Sequence, residues 1–143
     1  MRDYSIKIAE TPEDIQRCYL VMHQLRPNWG LDEFVSQVQL QIEKDSYKLA
    51  YLEEDGEVRA IAGFRFGNML IRKKHMYVDD LVTDSRFRSQ GYGRALLDWL
   101  TQVARQNGCK QIDLDSNVQR LAAHRFYFRE GFSNSSLHFV KKL

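Results

Sequence analysis

The spacing of apolar residues changes from a helical period to a strand period and back again along the chain. From residue 11 to residue 42, apolar side chains recur every three or four positions, as in helices, and Thr11-Pro12 offers an N-cap followed by a first helical residue. From residue 47 the pattern is that of strands, with turn sequences at Asp55-Gly56 and Gly67-Asn68. After residue 92 the helical spacing returns.

These patterns predict one α/β (α+β) domain over residues 1–143, with a mixed central sheet flanked by about four helices. The predicted elements are a strand at residues 5–9, helices at 11–25 and 31–42, strands at 47–53, 57–66 and 75–83, a helix ended by Asn107-Gly108, a strand at 110–115, a helix at 118–131 and a closing β segment at 132–142. Asp79 and Asp80 are unusual residues for the centre of a buried strand, and regular alternation predicts that they lie on opposite faces.

Composition and charge argue against several classes of protein. The 21 basic and 19 acidic residues are spread along the chain and leave a net charge of +2, so no clustered basic face favours nucleic acid or an anionic membrane as a partner. The sequence has neither a signal-peptide stretch nor the ~20 consecutive apolar residues of a membrane span. We therefore expect a cytoplasmic protein. Cys18 and Cys109 lack metal-ligand spacing with the four histidines, so no metal is expected.

The hexapeptide Arg88-Ser89-Gln90-Gly91-Tyr92-Gly93 lies between a predicted strand and an amphipathic helix. Backbone N–H groups at the start of such a helix can face an anion, and the helix dipole adds positive potential there. The two glycines are equally consistent with a tight strand-to-helix turn that binds nothing. The spacing excludes a P-loop and a dinucleotide fingerprint, which need other glycine and lysine positions.

Arg88, Gly91 and Gly93 match the Arg/Gln-x-x-Gly-x-Gly/Ala signature, and in this respect the chain resembles the GNAT superfamily of N-acetyltransferases. Further similarity, in the order and spacing of that family, covers residues 77–132, about half the chain. It comprises residues 80–84 before the loop, residues 94–97 after it, and Asn117 with residues 123–127 and 130–132.

The resemblance implies a splayed sheet with acetyl-coenzyme A as cosubstrate between two central strands. Backbone N–H groups of residues 88–93 would hold the pyrophosphate, and those near Leu81 and Val82, at an irregularity in the strand, would polarise the thioester carbonyl. The residues that the resemblance assigns to the cosubstrate are Leu81, Val82, Thr83, Arg88, Ser89, Gln90, Gly91, Tyr92, Gly93, Arg94, Asn117, His124 and Tyr127.

Acetyl transfer to an amine requires a group that takes a proton from the ammonium and a group that protonates or stabilises the leaving thiolate. The resemblance makes Tyr127 the acid, although an aromatic cluster with Phe126, Phe128 and Phe132 would also account for this tyrosine. Asp79 and Asp80 are the candidate bases. Asp79 is preferred because it lies where polyamine-acetylating members of the family have their base. Asn117 is a candidate N-cap or cosubstrate ligand, and His124 a candidate cosubstrate contact.

The acceptor is expected to be a small primary amine, attacked directly in a ternary complex. Residues 116–127 and 138–143 resemble the small-molecule branch, which includes aminoalkylphosphonate acetyltransferases, and relatives of this kind are often homodimers. Candidate pocket residues are Trp29, Glu33, Arg65 and Tyr77. Two other functions stay open: an inactive acyl-coenzyme A sensor or interaction module, and a protein lysine or N-terminal acetyltransferase.

Overall fold

The structure is a computed structural model that describes residues 2–143. Its helices and strands follow in the order β1 (Tyr4–Ile8), α1 (Pro12–Arg17), α2 (Tyr19–Leu25), α3 (Leu31–Asp45), β2 (Lys48–Glu54), β3 (Glu57–Met69), β4 (Lys73–Thr83), a 3-10 turn (Ser85–Phe87), α4 (Tyr92–Gln106), β5 (Gln111–Leu114) and α5 (Leu121–Arg129). The chain forms two compact units, of which the first ends at Asp113 and the second runs from Leu114 to Leu143.

The five strands form one sheet in the order β1-β2-β3-β4-β5. The neighbouring strands β1 and β2, β2 and β3, and β3 and β4 are antiparallel. β4 and β5 are neighbours joined through α4, the kind of crossover that parallel strands need. The predicted mixed sheet with flanking helices is therefore confirmed.

The first unit buries apolar side chains against both faces of the sheet. On one face, α1, α2 and α3 bring Ile15, Met22 and Phe34 into a single cluster with strand residues such as Ile61. On the other face, α4 packs against β3 and β4, where the Trp99 ring meets Phe64 edge-on with centroids 6.1 Å apart. The ends of β3 and β4 are thus fixed between two helical layers.

The first predicted helix is divided in two at Cys18. Its start is as predicted, because the Thr11 hydroxyl accepts from the Asp14 N–H at 3.1 Å and Pro12 is the first helical residue. At Cys18 the backbone tightens, and its N–H donates to the Ile15 carbonyl three residues earlier. This turn places the completely buried Cys18 side chain in the core.

The turn predicted at Gly67-Asn68 is wrong, since β3 continues to Met69 and the chain reverses at residues 70–72. Gly67 pairs with His75 on β4, and a Cβ at this glycine would lie 3.0 Å from the His75 ring. The glycine therefore makes room for a buried imidazole rather than for a turn.

The C-terminal prediction is also wrong in part. The last helix begins at Leu121 rather than at residue 118, and residues 132–143 contain no strand. A strand needs a neighbour for its backbone groups, and the sheet pairs none with this segment, where Leu137 and Phe139 are exposed. None of the helices within residues 2–143 is both long enough and apolar enough to cross a membrane.

Candidate active site

The register between β3 and β4 changes by one residue beside Asp79. Gly63 pairs with Asp80, whereas the next residue, Phe64, pairs with Val78. Asp79 is therefore the extra residue of a β-bulge, which interrupts the alternation of faces. As a result both acidic residues line one cavity, and the prediction that they lie on opposite faces is wrong. The expected strand irregularity lies at Asp79, two residues before Leu81 and three before Val82.

The cavity lies in the first unit, between β4 and the helical layer, and has a volume of about 260 Å³. One part of its wall is apolar or aromatic, and another part carries charged and polar side chains. The first part includes Met22, Trp29, Phe34 and Val38, and the second includes Arg26, Tyr47, Asp79 and Asp80. Such a combination can hold an organic cation, with its charge at the carboxylates.

Asp79 forms a two-fold ion pair with Arg65 on β3. The Arg65 Nε and Nη2 atoms donate to the two oxygens of the Asp79 carboxylate, each at 2.8 Å. This fork geometry is the strongest form of the arginine–carboxylate pair. The guanidinium also lies 5.4 Å from the centre of the Tyr77 ring. The pair raises the pKa of Arg65, chiefly through the hydrogen bond to Asp79.

Asp80 is held from two sides. The Tyr47 hydroxyl donates to Asp80 Oδ2 at 2.7 Å, and Arg26 Nε donates to Oδ1 at 3.0 Å. The second arginine donor, Nη2, lies 2.9 Å from the Asp79 carbonyl oxygen. Burial raises the pKa of Tyr47 well above its ordinary value, and the neighbouring Asp80 raises it further, so the phenol stays protonated and acts as a donor.

Gly63 provides the space in which Tyr47 and Asp80 meet. A Cβ at this position would lie 1.7 Å from the Tyr47 hydroxyl oxygen and 2.6 Å from Asp80 Oδ2. Any other residue at position 63 would have to displace this hydrogen bond. The absence of a side chain at Gly63 is thus part of the local design of the cavity.

The segment between β4 and α4, which carries the hexapeptide Arg88–Gly93 and is here called the glycine loop, begins at Asp84. Asp84, whose side chain is 4% exposed, accepts hydrogen bonds from Gln24 and from the backbone and side chain of Arg86. The hydrogen bonds from Arg86 lower the pKa of Asp84 to about 2. The Gln24 side chain also accepts from the Ser85 N–H at 2.9 Å, which ties α2 to the loop.

Two residues of the loop have left-handed backbone conformations, Ser89 with φ 62° and Gly91 with φ 89°. Gly91 precedes the first residue of α4, and no side chain caps this helix. The first N–H groups of an α-helix, here those of Tyr92 and Gly93, have no carbonyl partner within the helix. Backbone N–H groups at such a helix start can bind an anion, and the role of residues 88–93 in holding a pyrophosphate stays a prediction.

The side chain of Tyr92 anchors α4 to the sheet. It is 1% exposed, donates to Glu54 Oε2 at 2.6 Å and accepts from Arg59 Nη1 at 2.6 Å. The Arg59 guanidinium also lies 4.3 Å from the centre of the Phe87 ring in the 3-10 turn. The partly buried network of Tyr92, Glu54 and Arg59 thus connects the start of α4, next to the glycine loop, to the sheet.

The end of β4 extends beyond the short strand β5. Lys110, just before β5, donates its N–H to the Lys74 carbonyl at the start of β4, at 2.7 Å. β5 has 4 residues and β4 has 11, so the second part of β4 continues past its parallel neighbour. Leu81, Val82 and Thr83 lie in that part and pair with β3 on the other side.

The second unit carries the remaining predicted residues. Tyr127 is buried, and its ring meets Phe126 and Phe132 edge-on, with centroids 5.6 and 5.7 Å away. Burial raises the pKa of Tyr127, while nearby Arg120 opposes the change. His124 Nε2 lies 2.8 Å from the Asn117 carbonyl oxygen.

The N-cap predicted for Asn117 is wrong, because the N-cap of α5 is Arg120. The Asn117 side chain instead accepts from the Gln119 N–H at 2.9 Å and closes the preceding turn.

Three residues of the cavity region have no counterpart in the sequence prediction: Arg26, Tyr47 and Gly63. Their contacts join positions 16 to 54 residues apart in sequence, from the Gly63–Tyr47 approach to the Arg26–Asp80 pair. Of the four candidate pocket residues, for each of which packing or solvation is the other explanation, Trp29 lines the cavity, whereas Glu33, Arg65 and Tyr77 do not. Within residues 2–143, no three His, Cys, Asp or Glu side chains come together as a metal site would require.

Comparison with known proteins identifies the family. A sequence profile described as "Acetyltransferase (GNAT) family" matches residues 9–132. The chain is 33% identical over 137 residues to the uncharacterized N-acetyltransferase YhdJ of Bacillus subtilis, a match that covers 95% of this chain and 96% of that protein. It is 41% identical over 66 residues to the aminoalkylphosphonate N-acetyltransferase of Salmonella typhimurium, covering 46% of this chain and 43% of that one.

A solved structure shares the fold. It is the aminoglycoside N-acetyltransferase AAC(6')-Iy in complex with CoA, with a TM-score of 0.86 and 14% sequence identity, covering 99% of this chain and 96% of that chain. The fold, the uncapped glycine loop before α4 and the match over residues 9–132 agree with one another. The chain belongs to the GNAT family of N-acetyltransferases.

Proposed function

We propose that this chain transfers the acetyl group of acetyl-coenzyme A to the primary amine of a small molecule, by direct attack in a ternary complex. The observation that carries the proposal is the cavity at the β4 bulge, where two carboxylates meet an apolar and aromatic wall. A protonated amine is attracted to the carboxylates, and the hydrocarbon that bears it can pack against Trp29 and Phe34.

The cosubstrate site is proposed along residues 81–83 and 88–94, with Asn117, His124 and Tyr127 as further contacts. Support comes from the uncapped start of α4, where left-handed Gly91 and Ser89 leave backbone N–H groups for an anion. The part of β4 that extends past β5 offers backbone donors for the thioester carbonyl, an interaction worth on the order of 3 kcal/mol in the transition state.

The chemistry requires one base and one acid. A carboxylate at the bulge, Asp79 or Asp80, accepts a proton from the acceptor ammonium, and the free amine then attacks the thioester carbon. Tyr127 is proposed as the acid that protonates the departing sulfur. Its burial raises its pKa, so the phenol is neutral at physiological pH, which is the form that donates.

The small size of the acceptor is inferred from the cavity volume of about 260 Å³ and from the relatives. The partial match in Salmonella typhimurium is named for aminoalkylphosphonates, and a 28% identical protein of Arabidopsis thaliana is named for glucosamine 6-phosphate. We further propose that residues 1–143 act as one acetyltransferase domain, because the family match crosses the boundary at Asp113. A cytoplasmic location and a homodimer belong to the same proposal.

The test is thiol release from acetyl-coenzyme A by the purified protein, with a panel of small amines, aminoalkylphosphonates and lysine peptides as acceptors. We expect release that depends on a small amine and falls by about 10²-fold or more in Tyr127→Phe. Phe126→Leu, which changes the neighbouring ring but keeps Tyr127, is the matched control. Release only with lysine peptides would replace the small-molecule acceptor by a protein, and cosubstrate binding without release would favour a sensor.

A further inference from the structure

The two carboxylates at the bulge differ in how they are held. Both oxygens of Asp79 are occupied by the fork of Arg65, at 2.8 Å each. Each oxygen of Asp80 has one hydrogen bond, from Tyr47 to Oδ2 and from Arg26 to Oδ1. The two-fold ion pair therefore holds the Asp79 carboxylate to Arg65 more strongly than the single contact from Arg26 holds Asp80 Oδ1.

The position of Arg26 marks a site for a cation. Its guanidinium lies between two acceptors, Asp80 Oδ1 at 3.0 Å and the Asp79 carbonyl oxygen at 2.9 Å. The Arg26 side chain is 47% exposed and follows the end of α2, while that of Asp80 is 13% exposed. Exchange of this exposed arginine for another cation costs little, because an ion pair with a solvent-exposed partner is weak.

Tyr47 fixes the direction of the Asp80 carboxylate. The tyrosine is 2% exposed, and its hydroxyl reaches Oδ2 in the space left free by Gly63. By holding Oδ2, this hydrogen bond keeps Oδ1 in the direction in which it meets Arg26. The charged and titratable groups around Asp80 are Arg26, Tyr47 and Asp79 with its partner Arg65.

We infer that Asp80 is the base of the reaction, that Tyr47 is its positioning residue, and that the acceptor ammonium binds in the place now taken by the Arg26 guanidinium. This inference rests on the proposed function and replaces the preference for Asp79. The ammonium gives one proton to Asp80 Oδ1. Its nitrogen forms a bond to the thioester carbon as the carbon–sulfur bond breaks, the departing sulfur takes the proton of Tyr127, and the second nitrogen proton restores the Tyr127 phenol. The proton on Asp80 then leaves to water.

The experiment compares Asp80→Asn, Asp79→Asn, Tyr47→Phe and Arg26→Gln with wild type, using the best amine found in the acceptor panel. Asp80→Asn should lower kcat by about 10²- to 10⁴-fold, and by more than Asp79→Asn does. Arg26→Gln should lower KM for the amine about two- to fivefold, since a competing cation is removed. Asp98→Asn, on the exposed face of α4, is the control that should match wild type.

The kinetics of Tyr47→Phe distinguish a positioning role of Tyr47 from a purely structural one. Loss of the phenol donor should lower kcat about tenfold and leave KM for the amine within twofold, because the carboxylate keeps its charge but loses its fixed direction. Acetyl-coenzyme A affinity, measured by calorimetry, should stay at the wild-type value in Tyr47→Phe and Asp80→Asn, which verifies folding.

The two levels of the proposal fail differently. If wild type releases no thiol with any amine, the proposed function is wrong. If wild type is active and Asp80→Asn keeps its kcat within threefold, or Asp79→Asn loses more than Asp80→Asn, the assignment of Asp80 is overturned. A wild-type kcat in Tyr47→Phe, or a KM for the amine that rises as much as kcat falls, would overturn the positioning role. A higher KM in Arg26→Gln would overturn the proposed place of the ammonium.

Discussion

At the scale of single residues, the buried Asp84, at the start of the glycine loop, makes the free energy of unfolding depend on pH. Its pKa is lowered from 3.8 to about 2, so its hydrogen bonds add stability above pH ~4 that is lost as the pH falls through about 2. Asp84→Asn should therefore lower the free energy of unfolding by about 2 kcal/mol at pH 7, and by less at pH 3.

Urea unfolding at several pH values measures this effect. Asp98→Asn, an exposed substitution on α4, should leave the free energy of unfolding nearly unchanged at every pH. A difference between Asp84→Asn and wild type that stays constant from pH 7 to pH 3 would contradict the role of the Asp84 carboxylate.

Gly63 is the residue at which the smallest side chain should do the most damage. The methyl group of Gly63→Ala would overlap the Tyr47 hydroxyl, which lies 1.7 Å from the Cβ position. We expect a loss of about 1–3 kcal/mol in the free energy of unfolding, because Tyr47 is buried and must move. Gly30→Ala meets only the flexible end of Glu33, so its loss should be smaller. Equal losses in chemical denaturation would contradict this account.

At the scale of elements, α4 and the glycine loop depend on the hydroxyl of Tyr92. Tyr92→Phe removes a donor to Glu54 and an acceptor for Arg59 in a buried network. We expect a loss of about 1–3 kcal/mol in stability, because both charged groups lose a partner that water cannot readily replace. Tyr4→Phe on β1, where the ring is 40% exposed, is the matched control. A Tyr92→Phe protein as stable as Tyr4→Phe would show that the network does not support the loop.

The C-terminal segment after α5 differs from the rest of the chain in its exposure. Residues 133–143 belong to no helix or strand, and Leu137 and Phe139 are 74% and 87% exposed. Limited proteolysis with chymotrypsin should therefore cleave after these two residues, and after Leu70 in the exposed turn, before any site within the strands β2 to β5. Mass spectrometry of the early fragments identifies the site. Early cleavage within the strands β2 to β5 would contradict the described exposure.

At the scale of the whole molecule, periodicity and turn signals predict most of the architecture. The mixed sheet, the helix after the glycine loop and the start of α1 are as predicted, because each depends on local sequence. The errors have non-local causes. Glycine is needed at position 67 because the His75 ring on the neighbouring strand leaves little room for a side chain, not because the chain turns there. The predicted final strand has no partner in the sheet.

The candidate site is predicted to a lesser degree. Asp79, Asp80 and Trp29, all candidates from the sequence, line the cavity. Regular alternation nevertheless predicts the wrong strand faces for the two aspartates, because the bulge depends on the pairing of β4 with β3. The partners that distinguish the two acids, Arg26, Tyr47 and Arg65, come from other elements, and only Arg65 is a predicted pocket residue. Sequence spacing cannot reveal such contacts.

The central claim is that this fold binds acetyl-coenzyme A at the uncapped start of α4 and uses it for transfer. Isothermal titration calorimetry of the purified chain with acetyl-coenzyme A tests this claim most directly. We predict saturable binding with one site per chain, weakened at least tenfold in Gly91→Val, because a branched residue resists the left-handed conformation of Gly91. Absence of saturable binding by the folded wild-type protein would contradict the account.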